Sequence, residues 1–183
     1  MPPRDGDAEQ AALDLGARDP ADHDHLTGLW NRGRFEHELD RRIAGSLPDG
    51  ERLALLLIDV DGYRDVIRRH GPDDAEALIR SISEVMAKRF GPNETLARMG
   101  GDEFAALLLG TTPCLARTLA GELCAAVRAH SHAVGSRRIQ ATISVGGVLL
   151  DPGAATRQEA LLAADTALYE AKVAGCDRAI IHE

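Results

Sequence analysis

The stretch Thr95-Leu96-Ala97-Arg98-Met99-Gly100-Gly101-Asp102-Glu103-Phe104-Ala105-Ala106-Leu107-Leu108-Leu109 decides how this chain folds. Residues 95–99 (TLARM) read as a strand and residues 103–109 (EFAALLL) as its return, because two apolar runs joined by a glycine pair make a hairpin. Asp102 and Glu103 then stand at the hairpin tip, where a purely structural turn has little use for two adjacent carboxylates. The glycine pair lets a bulky ligand come close to the backbone. Upstream, Leu53-Ala54-Leu55-Leu56-Leu57-Ile58-Asp59 is a short continuous apolar run that ends in an acid. Such a run suits a central strand buried on both faces. If the hairpin lies beside this strand, Asp59 and Asp102 converge. Carboxylates without histidine or cysteine form a hard-oxygen site suited to Mg²⁺ or Mn²⁺. Such ions typically serve phosphoryl or nucleotidyl chemistry.

The rest of the chain fills in around these strands. Asn31 is a good N-cap, with Phe35, Leu39 and Ile43 following at spacing four. A helical stretch is expected at 63–70, broken by Gly71-Pro72, and a longer helix at about 73–90, where Leu78, Ile82, Val85, Met86 and Phe90 form one stripe. A helix from Pro113 to about His132 follows, then a strand over 139–150 containing a glycine pair, a helix over 158–174 and a last strand over 178–182. The order α β α α β β α β α β is that of an α+β domain. Its sheet is mixed, mostly antiparallel and about five-stranded, with helices packed on it. Residues 1–22 read as an acidic linker with a helical stretch near Ala8 to Ala17, and residues 23–183 as the domain. The Asp22-His23-Asp24-His25 run is taken as the solvated end of that linker rather than a metal site.

Composition narrows the function. The chain has 183 residues, with 21 Lys+Arg against 29 Asp+Glu and a formal net charge of −8. Residues 1–25 hold seven acids and two bases, so the remaining 158 carry only −3. A coat for nucleic-acid backbone is excluded, and 3% aromatic residues argue against a base-stacking platform. No apolar run approaches the roughly 18–20 residues that span a bilayer, and a cytoplasmic protein is expected. Cys114, Cys124 and Cys176 form no C-x-x-C pair and read as reduced thiols, with no zinc site expected.

Gly100-Gly101-Asp102-Glu103-Phe104 spells GGDEF, and the chain resembles the GGDEF diguanylate cyclase family. Four further segments, in the family's order, support the resemblance. Residues 24–32 (DHLTGLWNR) look like its D-x-L-T-G-L-x-N-R opening and Asp59-Val60-Asp61 like its D-[IV]-D. Residues 142–146 (TISVG) look like T-x-S-x-G, and residues 164–172 (ADTALYEAK) like A-D-x-A-L-Y-x-A-K. The likeness covers about residues 22–183. It implies a palm-like fold similar to adenylyl cyclases and polymerase palms, with one GTP and two Mg²⁺ or Mn²⁺ ions per subunit. In a homodimer the two half-sites would face each other, condensing two GTP into cyclic di-GMP and pyrophosphate. On this basis Asp59, Asp102 and the Val60 carbonyl are metal ligands, and Glu103 binds or deprotonates the attacking 3′-hydroxyl. Backbone amides around Gly62 and Tyr63, together with Arg64 and Lys172, contact phosphates. Arg98 matches an arginine common at its place, an ion pair with Asp24 being the other reading. The family's usual input is an upstream sensory domain or a partner protein.

The chain departs from the family pattern in three places. Ile67 stands where an asparagine reads guanine, and Glu76 where an aspartate does. A site that has lost a polar pair discriminates poorly, so base choice is expected to be relaxed or altered if Ile67 lines the pocket; packing in the core is the alternative. Cys176 stands where an arginine contacts phosphate, with Arg178 nearby. Gly91-Pro92-Asn93-Glu94 stands where an inhibitory R-x-x-D product site is common, so inhibition through that site is not expected. An Mg²⁺-dependent cyclase is the leading expectation. A degenerate domain that binds a nucleotide and regulates a partner without turnover is the second, and a pure dimerisation module the third.

Overall fold

The computed structural model describes residues 19–45, 52–91, 94–135, 137–151, 153 and 155–183. The helical stretch expected near Ala8 to Ala17 lies outside the described residues. The first helix, α1 (Arg32–Ala44), starts where Asn31 accepts a hydrogen bond from the Arg34 amide at 3.0 Å. Strand β1 (Arg52–Val60) leads into α2 (Tyr63–His70) and α3 (Pro72–Ala87). Gly71, at φ +88°, breaks the two helices apart, and Pro72 opens the second. Strands β2 (Thr95–Gly100) and β3 (Glu103–Thr111) form the expected hairpin, followed by α4 (Pro113–Ala129). A small hairpin of β4 (His132–Val134) and β5 (Arg137–Ile139) precedes β6 (Ile143–Leu150), α5 (Arg157–Val173) and β7 (Ala179–His182). Helix α5 opens on a full capping box between Thr156 and Glu159.

The main sheet runs β2-β3-β1-β6-β7, antiparallel except for the parallel β6–β7 pair. This is the mixed, mostly antiparallel five-stranded sheet expected from the sequence. Strand β1 is central, and Asp59 is registered against Glu103 on one side and Ser144 on the other. Alternate β1 residues serve two cores, as a period of two requires. Ala54, Leu56, Ile58 and Val60 pack with α3 and α4, while Leu53 and Leu55 pack with Phe35 and Leu39 of α1 and Ala160 and Ala164 of α5.

Three boundaries differ from expectation, one of them the helix expected to run to about His132, which ends at Ala129 and leaves His132 in β4. The long strand expected over 139–150 begins at Ile143, and Ile139 belongs instead to the β4–β5 hairpin, which the sequence pattern does not reveal. Helix α3 ends at Ala87, so Phe90 lies beyond it while still packing against the core.

The glycine pair inside β6 is a packing requirement. A Cβ on Gly146 would lie 2.0 Å from the Leu168 amide nitrogen and 2.5 Å from the Ala164 carbonyl, both backbone atoms of α5. A Cβ on Gly147 would meet Leu56 and Ile181 side chains at 2.5 and 2.7 Å. Helix α5 therefore lies almost directly on the backbone of β6. Gly146→Ala is expected to cost about 3 kcal/mol or more, because a helix backbone cannot yield as a side chain can. Chemical denaturation of the variant checks this, and Gly147→Ala, which meets mainly flexible side-chain ends, should cost less.

His132 is fully buried in β4, with Nδ1 2.9 Å from the Ser81 hydroxyl and Nε2 3.2 Å from the Val127 carbonyl. A neutral ring that donates from Nε2 and accepts at Nδ1 satisfies both contacts. Burial pushes its pKa below the ordinary value, opposed by the Val127 hydrogen bond and reinforced by the charge of His130. The unfolded chain takes up a proton below about pH 6.5 that the folded chain resists, so stability falls as pH drops through that value. The melting temperature should decline between about pH 7 and pH 5, and His132→Gln should flatten that slope.

Candidate functional site

The end of β1 and the tip of the β2–β3 hairpin meet at one edge of the sheet. The Val60 amide donates to the Asp102 carbonyl at 3.2 Å, which ties the hairpin turn to the strand end. Asp59, Val60, Gly62, Tyr63, Arg64, Asp65, Asp102, Glu103 and Lys172 line a cleft of about 560 Å³. Gly100 and Gly101 adopt φ +133° and +55°, a left-handed turn that a side chain would strain. Gly62 is also left-handed, at φ +70°, and begins α2 with no side-chain cap. Its carbonyl accepts from the Asp65 and Val66 amides, leaving the first-turn amides at Tyr63 and Arg64 on the cleft side of the helix start.

The cleft electrostatics rest on one ion pair. Lys172 Nζ lies 2.8 Å from Asp59 Oδ2, with the aspartate side chain only 14% exposed. Burial raises the Asp59 pKa; the Lys172 hydrogen bond and charge oppose this, and the Asp102 and Asp61 charges add to it. The lysine is thus the counter-charge of a crowded carboxylate. Burial, together with Asp102 and Glu76, also raises the Tyr63 hydroxyl pKa against the pull of Arg98.

Asp61 does not share in the cleft. Its carboxylate accepts from the Thr142 and Ser144 hydroxyls, at 2.7 Å each, and from the Asp177 amide at 3.1 Å. It therefore fastens β1 to β6 and to the turn after α5, while its charge still acts on Asp59. That turn places Cys176 and Asp177 at φ 60° and 50°. The Arg178 guanidinium folds back onto the Cys176 carbonyl at 3.0 Å and does not line the cleft.

Arg98 is a structural residue. Its Nη1 lies 3.2 Å from both Asp24 carboxylate oxygens, and its Nε and Nη2 donate to the Gly101 carbonyl. Asp24 also accepts from the Thr27 amide and hydroxyl. Burial alone would raise its pKa, but Thr27 and Arg98 hold it below the usual carboxylate value. The 22–25 run is therefore partly buried and clamps the signature turn, rather than being a solvated linker end. His23 contacts the Gly28 carbonyl at 3.1 Å.

Ile67 and Glu76 lie on α2 and α3, both exposed and outside the cleft lining. Ile67 is 40% exposed, which removes the core-packing explanation. The structure also adds a residue that sequence reasoning missed. Arg32, at the start of α1, donates through Nε to the Met99 carbonyl at 3.0 Å and stands 3.7 Å from Glu103. The only sequence signal for it was its place in the opening motif. Glu103 is shared with a second, largely apolar cavity of about 320 Å³, which also takes in Arg32, Leu57, Met99, Leu161, Leu162 and Asp165.

No cluster of three or more His, Cys, Asp or Glu side chains suited to a metal occurs among the described residues. Two carboxylates and a backbone carbonyl nevertheless fit a magnesium ion, which usually takes one or two protein carboxylates and completes its shell with water and phosphate oxygens. The burial and, after it, the neighbouring acids that raise the Asp59 pKa make the same demand for positive charge. Replacing Asp59 with Asn should therefore leave the ligand-free melting temperature equal or higher, by up to about 1 kcal/mol in stability, as expected where function strains a site. It should abolish the stabilisation that Mg²⁺ with a nucleoside triphosphate brings. Thermal melts with and without both ligands check this.

The diguanylate cyclase GGDEF domain family matches residues 21–178. The bifunctional diguanylate cyclase/cyclic di-GMP phosphodiesterase MucR of Pseudomonas aeruginosa is 31% identical over 153 residues, which is 84% of this chain and 22% of MucR. The probable diguanylate cyclase DgcE of Escherichia coli is 32% identical over 163 residues, 89% of this chain and 15% of DgcE. The chain thus spans about a fifth of these relatives. Among solved structures, the GGDEF domain of DgcB from Caulobacter crescentus in complex with c-di-GMP superposes with a TM-score of 0.83 at 28% identity, covering 91% of this chain and 98% of that one. Diguanylate cyclase SiaD from Pseudomonas aeruginosa, in complex with its activator SiaC, gives 0.86 at 27% identity, covering 96% and 67%.

Proposed function

The chain belongs to the GGDEF diguanylate cyclase domain family, and from that premise we propose that its cleft holds one nucleoside triphosphate and condenses it with a second, held by another subunit, into a cyclic dinucleotide. GTP is the expected substrate and cyclic di-GMP the expected product. The observation that carries this reading is the pairing of half-buried Asp59 with Lys172 beside Asp102 and the uncapped start of α2. A triphosphate brings its own negative charge to an acidic cleft, so it binds there only with divalent cations as bridges. Asp59, Asp102 and the Val60 carbonyl would hold such ions, which when bound neutralise and polarise the phosphates.

This chain's own residues supply the rest. Amides at Gly62 and Tyr63, at a helix N-terminus, suit phosphate oxygens, and Arg64 and Lys172 add charge. Glu103 is the base for the 3′-hydroxyl, oriented by Arg32. The hydroxyl oxygen bonds to the α-phosphorus, the bond from that phosphorus to the bridging oxygen of the β-phosphate breaks, and pyrophosphate leaves. The hydroxyl proton passes to Glu103. Two such transfers, one at each half-site, close the ring.

A second reading is favoured by Ile67 and Cys176. An exposed isoleucine where the family places a base-reading asparagine offers no hydrogen bond, and Cys176 carries no charge. Guanine discrimination is then relaxed, or the domain binds nucleotide as a regulator without turnover. Incubating the protein with Mg²⁺ or Mn²⁺ and with GTP, ATP or both separates these readings. Cyclic dinucleotide and pyrophosphate are expected. No product at high protein concentration overturns the enzyme reading, and a nucleotide-dependent rise in melting temperature would then favour the regulator. Ile67→Asn, alone or with Glu76→Asp, should strengthen GTP binding over ATP by about five- to tenfold, the worth of one net hydrogen bond. An unchanged preference would remove Ile67 from the base pocket.

A further inference from the structure

Tyr63 opens α2 directly after the left-handed Gly62. The residue is 9% exposed and belongs to the core cluster that holds Val60, Ala75 and Leu78. Phenylalanine would fill that space as well, so packing accounts for the ring and not for the hydroxyl. A phenol at the edge of a core ordinarily finds a hydrogen-bond partner. Among the described residues this one has none. Nor is it sealed off, because the one fully buried side-chain oxygen without a partner among the described residues is Asp177 Oδ1. The Tyr63 hydroxyl is therefore an unpartnered polar group open to solvent, on a residue that lines the cleft of Asp59, Asp102 and Lys172.

The helix sets what lies on either side of it. Amides at the start of α2 suit phosphate oxygens. Ile67, four residues on, lies on the same helix face about 6 Å further along. A nucleoside triphosphate with its phosphates at the start of α2 and its base toward Ile67 and Glu76 brings its sugar past Tyr63. This path rests on the reaction proposed above. In that reaction the 3′-hydroxyl is the attacking group beside Glu103, which leaves the 2′-hydroxyl as the free polar group of the sugar. We propose that the Tyr63 hydroxyl, distinct from its backbone amide, hydrogen-bonds the ribose 2′-hydroxyl of the bound triphosphate and so makes the cleft select ribonucleotides over 2′-deoxyribonucleotides.

The surroundings of the phenol agree with this role. Burial raises its pKa, Arg98 opposes this, and the charges of Asp102 and Glu76 add to it. Arg98 and Asp102 belong to the β2–β3 hairpin and Glu76 to α3, so the phenol lies within electrostatic reach of both the phosphate end and the far end of the path. It keeps its proton at neutral pH and can donate as well as accept, as pairing with another hydroxyl requires. The same geometry limits the size of the effect. A site whose polar group is buried rejects a substrate lacking the matching hydroxyl strongly, because that group is left dry and unpaired. The Tyr63 hydroxyl stays within reach of water. Losing the contact therefore costs about five- to tenfold in affinity, the worth of one net hydrogen bond. Selection through the sugar needs no polar group at Ile67.

Binding measurements test the contact without relying on product formation. Melting temperatures of the wild type and of Tyr63→Phe are followed against rising GTP, 2′-deoxy-GTP or inorganic tripolyphosphate, each with Mg²⁺, and converted to affinities. The wild type should bind GTP about five- to tenfold more tightly than 2′-deoxy-GTP. Tyr63→Phe should bind the two equally, keep the wild-type affinity for 2′-deoxy-GTP and tripolyphosphate, and melt without ligand as the wild type does. Tyr169→Phe, at the chain's other tyrosine, should leave the preference intact. A wild type that binds GTP and 2′-deoxy-GTP equally, or a Tyr63→Phe variant that keeps the wild-type preference, overturns the proposal while the triphosphate cleft stands. A loss of affinity by Tyr63→Phe that is as large for tripolyphosphate also overturns it, because a structural disturbance of the cleft would act on the phosphates alone. If none of the three ligands raises the wild-type melting temperature, the triphosphate reading itself fails and the sugar contact fails with it.

Discussion

The placement of α5 on β6 at Gly146 is the contact on which the rest of the structure depends. The helix backbone occupies the space that any side chain at position 146 would need, so α5 lies closer to the sheet than ordinary helix–sheet packing allows. That closeness lets Lys172, in the last turn of α5, reach Asp59 at 2.8 Å. A helix lifted by the width of a methyl group would leave the Asp59 carboxylate desolvated among Asp61 and Asp102 with no counter-charge, which is far costlier than an exposed acid. The apolar interior and the charge balance of the cleft are thus set by one backbone contact.

The carboxylates around the cleft divide into two kinds, and the division explains why the acidity is tolerated. Asp61 is consumed by two hydroxyls and an amide and serves as a rivet between β1, β6 and the turn after α5. Asp24 is consumed by Arg98 and Thr27 and, through Arg98, fixes the Gly101 carbonyl. With these two acids satisfied internally, Asp59, Asp102 and Glu103 are left for ligands, countered by Lys172 and Arg32. The net charge of −8 is concentrated in the first residues of the chain, and the local excess at the cleft is what divalent cations would neutralise on the proposed reading.

Local rules of the chain made the sheet legible. The apolar run from Leu53 to Ile58 suited a central strand buried on both faces, and the Gly100-Gly101 pair read as the turn between the strands that flank it. The β4–β5 hairpin was not legible, because two three-residue strands, one with two arginines, carry no usable period. The convergence of Asp59 with Asp102 followed from strand adjacency. The partners of Asp61 did not, since Thr142, Ser144 and Asp177 lie 81 to 116 positions away along the chain. Lys172 and Arg98 entered through resemblance rather than pattern. A lysine near a helix end and an arginine in an edge strand look ordinary until the fold brings them to a carboxylate. The role of Arg32 stayed hidden for the same reason.

The cleft and the helix surface beside it are therefore unequal. Within the cleft a left-handed glycine, an uncapped helix start, two carboxylates and a lysine come together, the elements that the proposed triphosphate would need. Outside its lining, Ile67 and Glu76 stand exposed on α2 and α3. A single exposed isoleucine is ordinary for a protein surface, but at 40% exposure it offers a base no hydrogen bond. On the reading proposed above, a cleft rich in charged groups with no polar base reader would have its occupancy set by triphosphate and cation and would choose loosely among bases. Base selection would then fall to the geometry of an assembled pair of subunits, where two nucleotides must meet in register, more than to hydrogen bonds within either one.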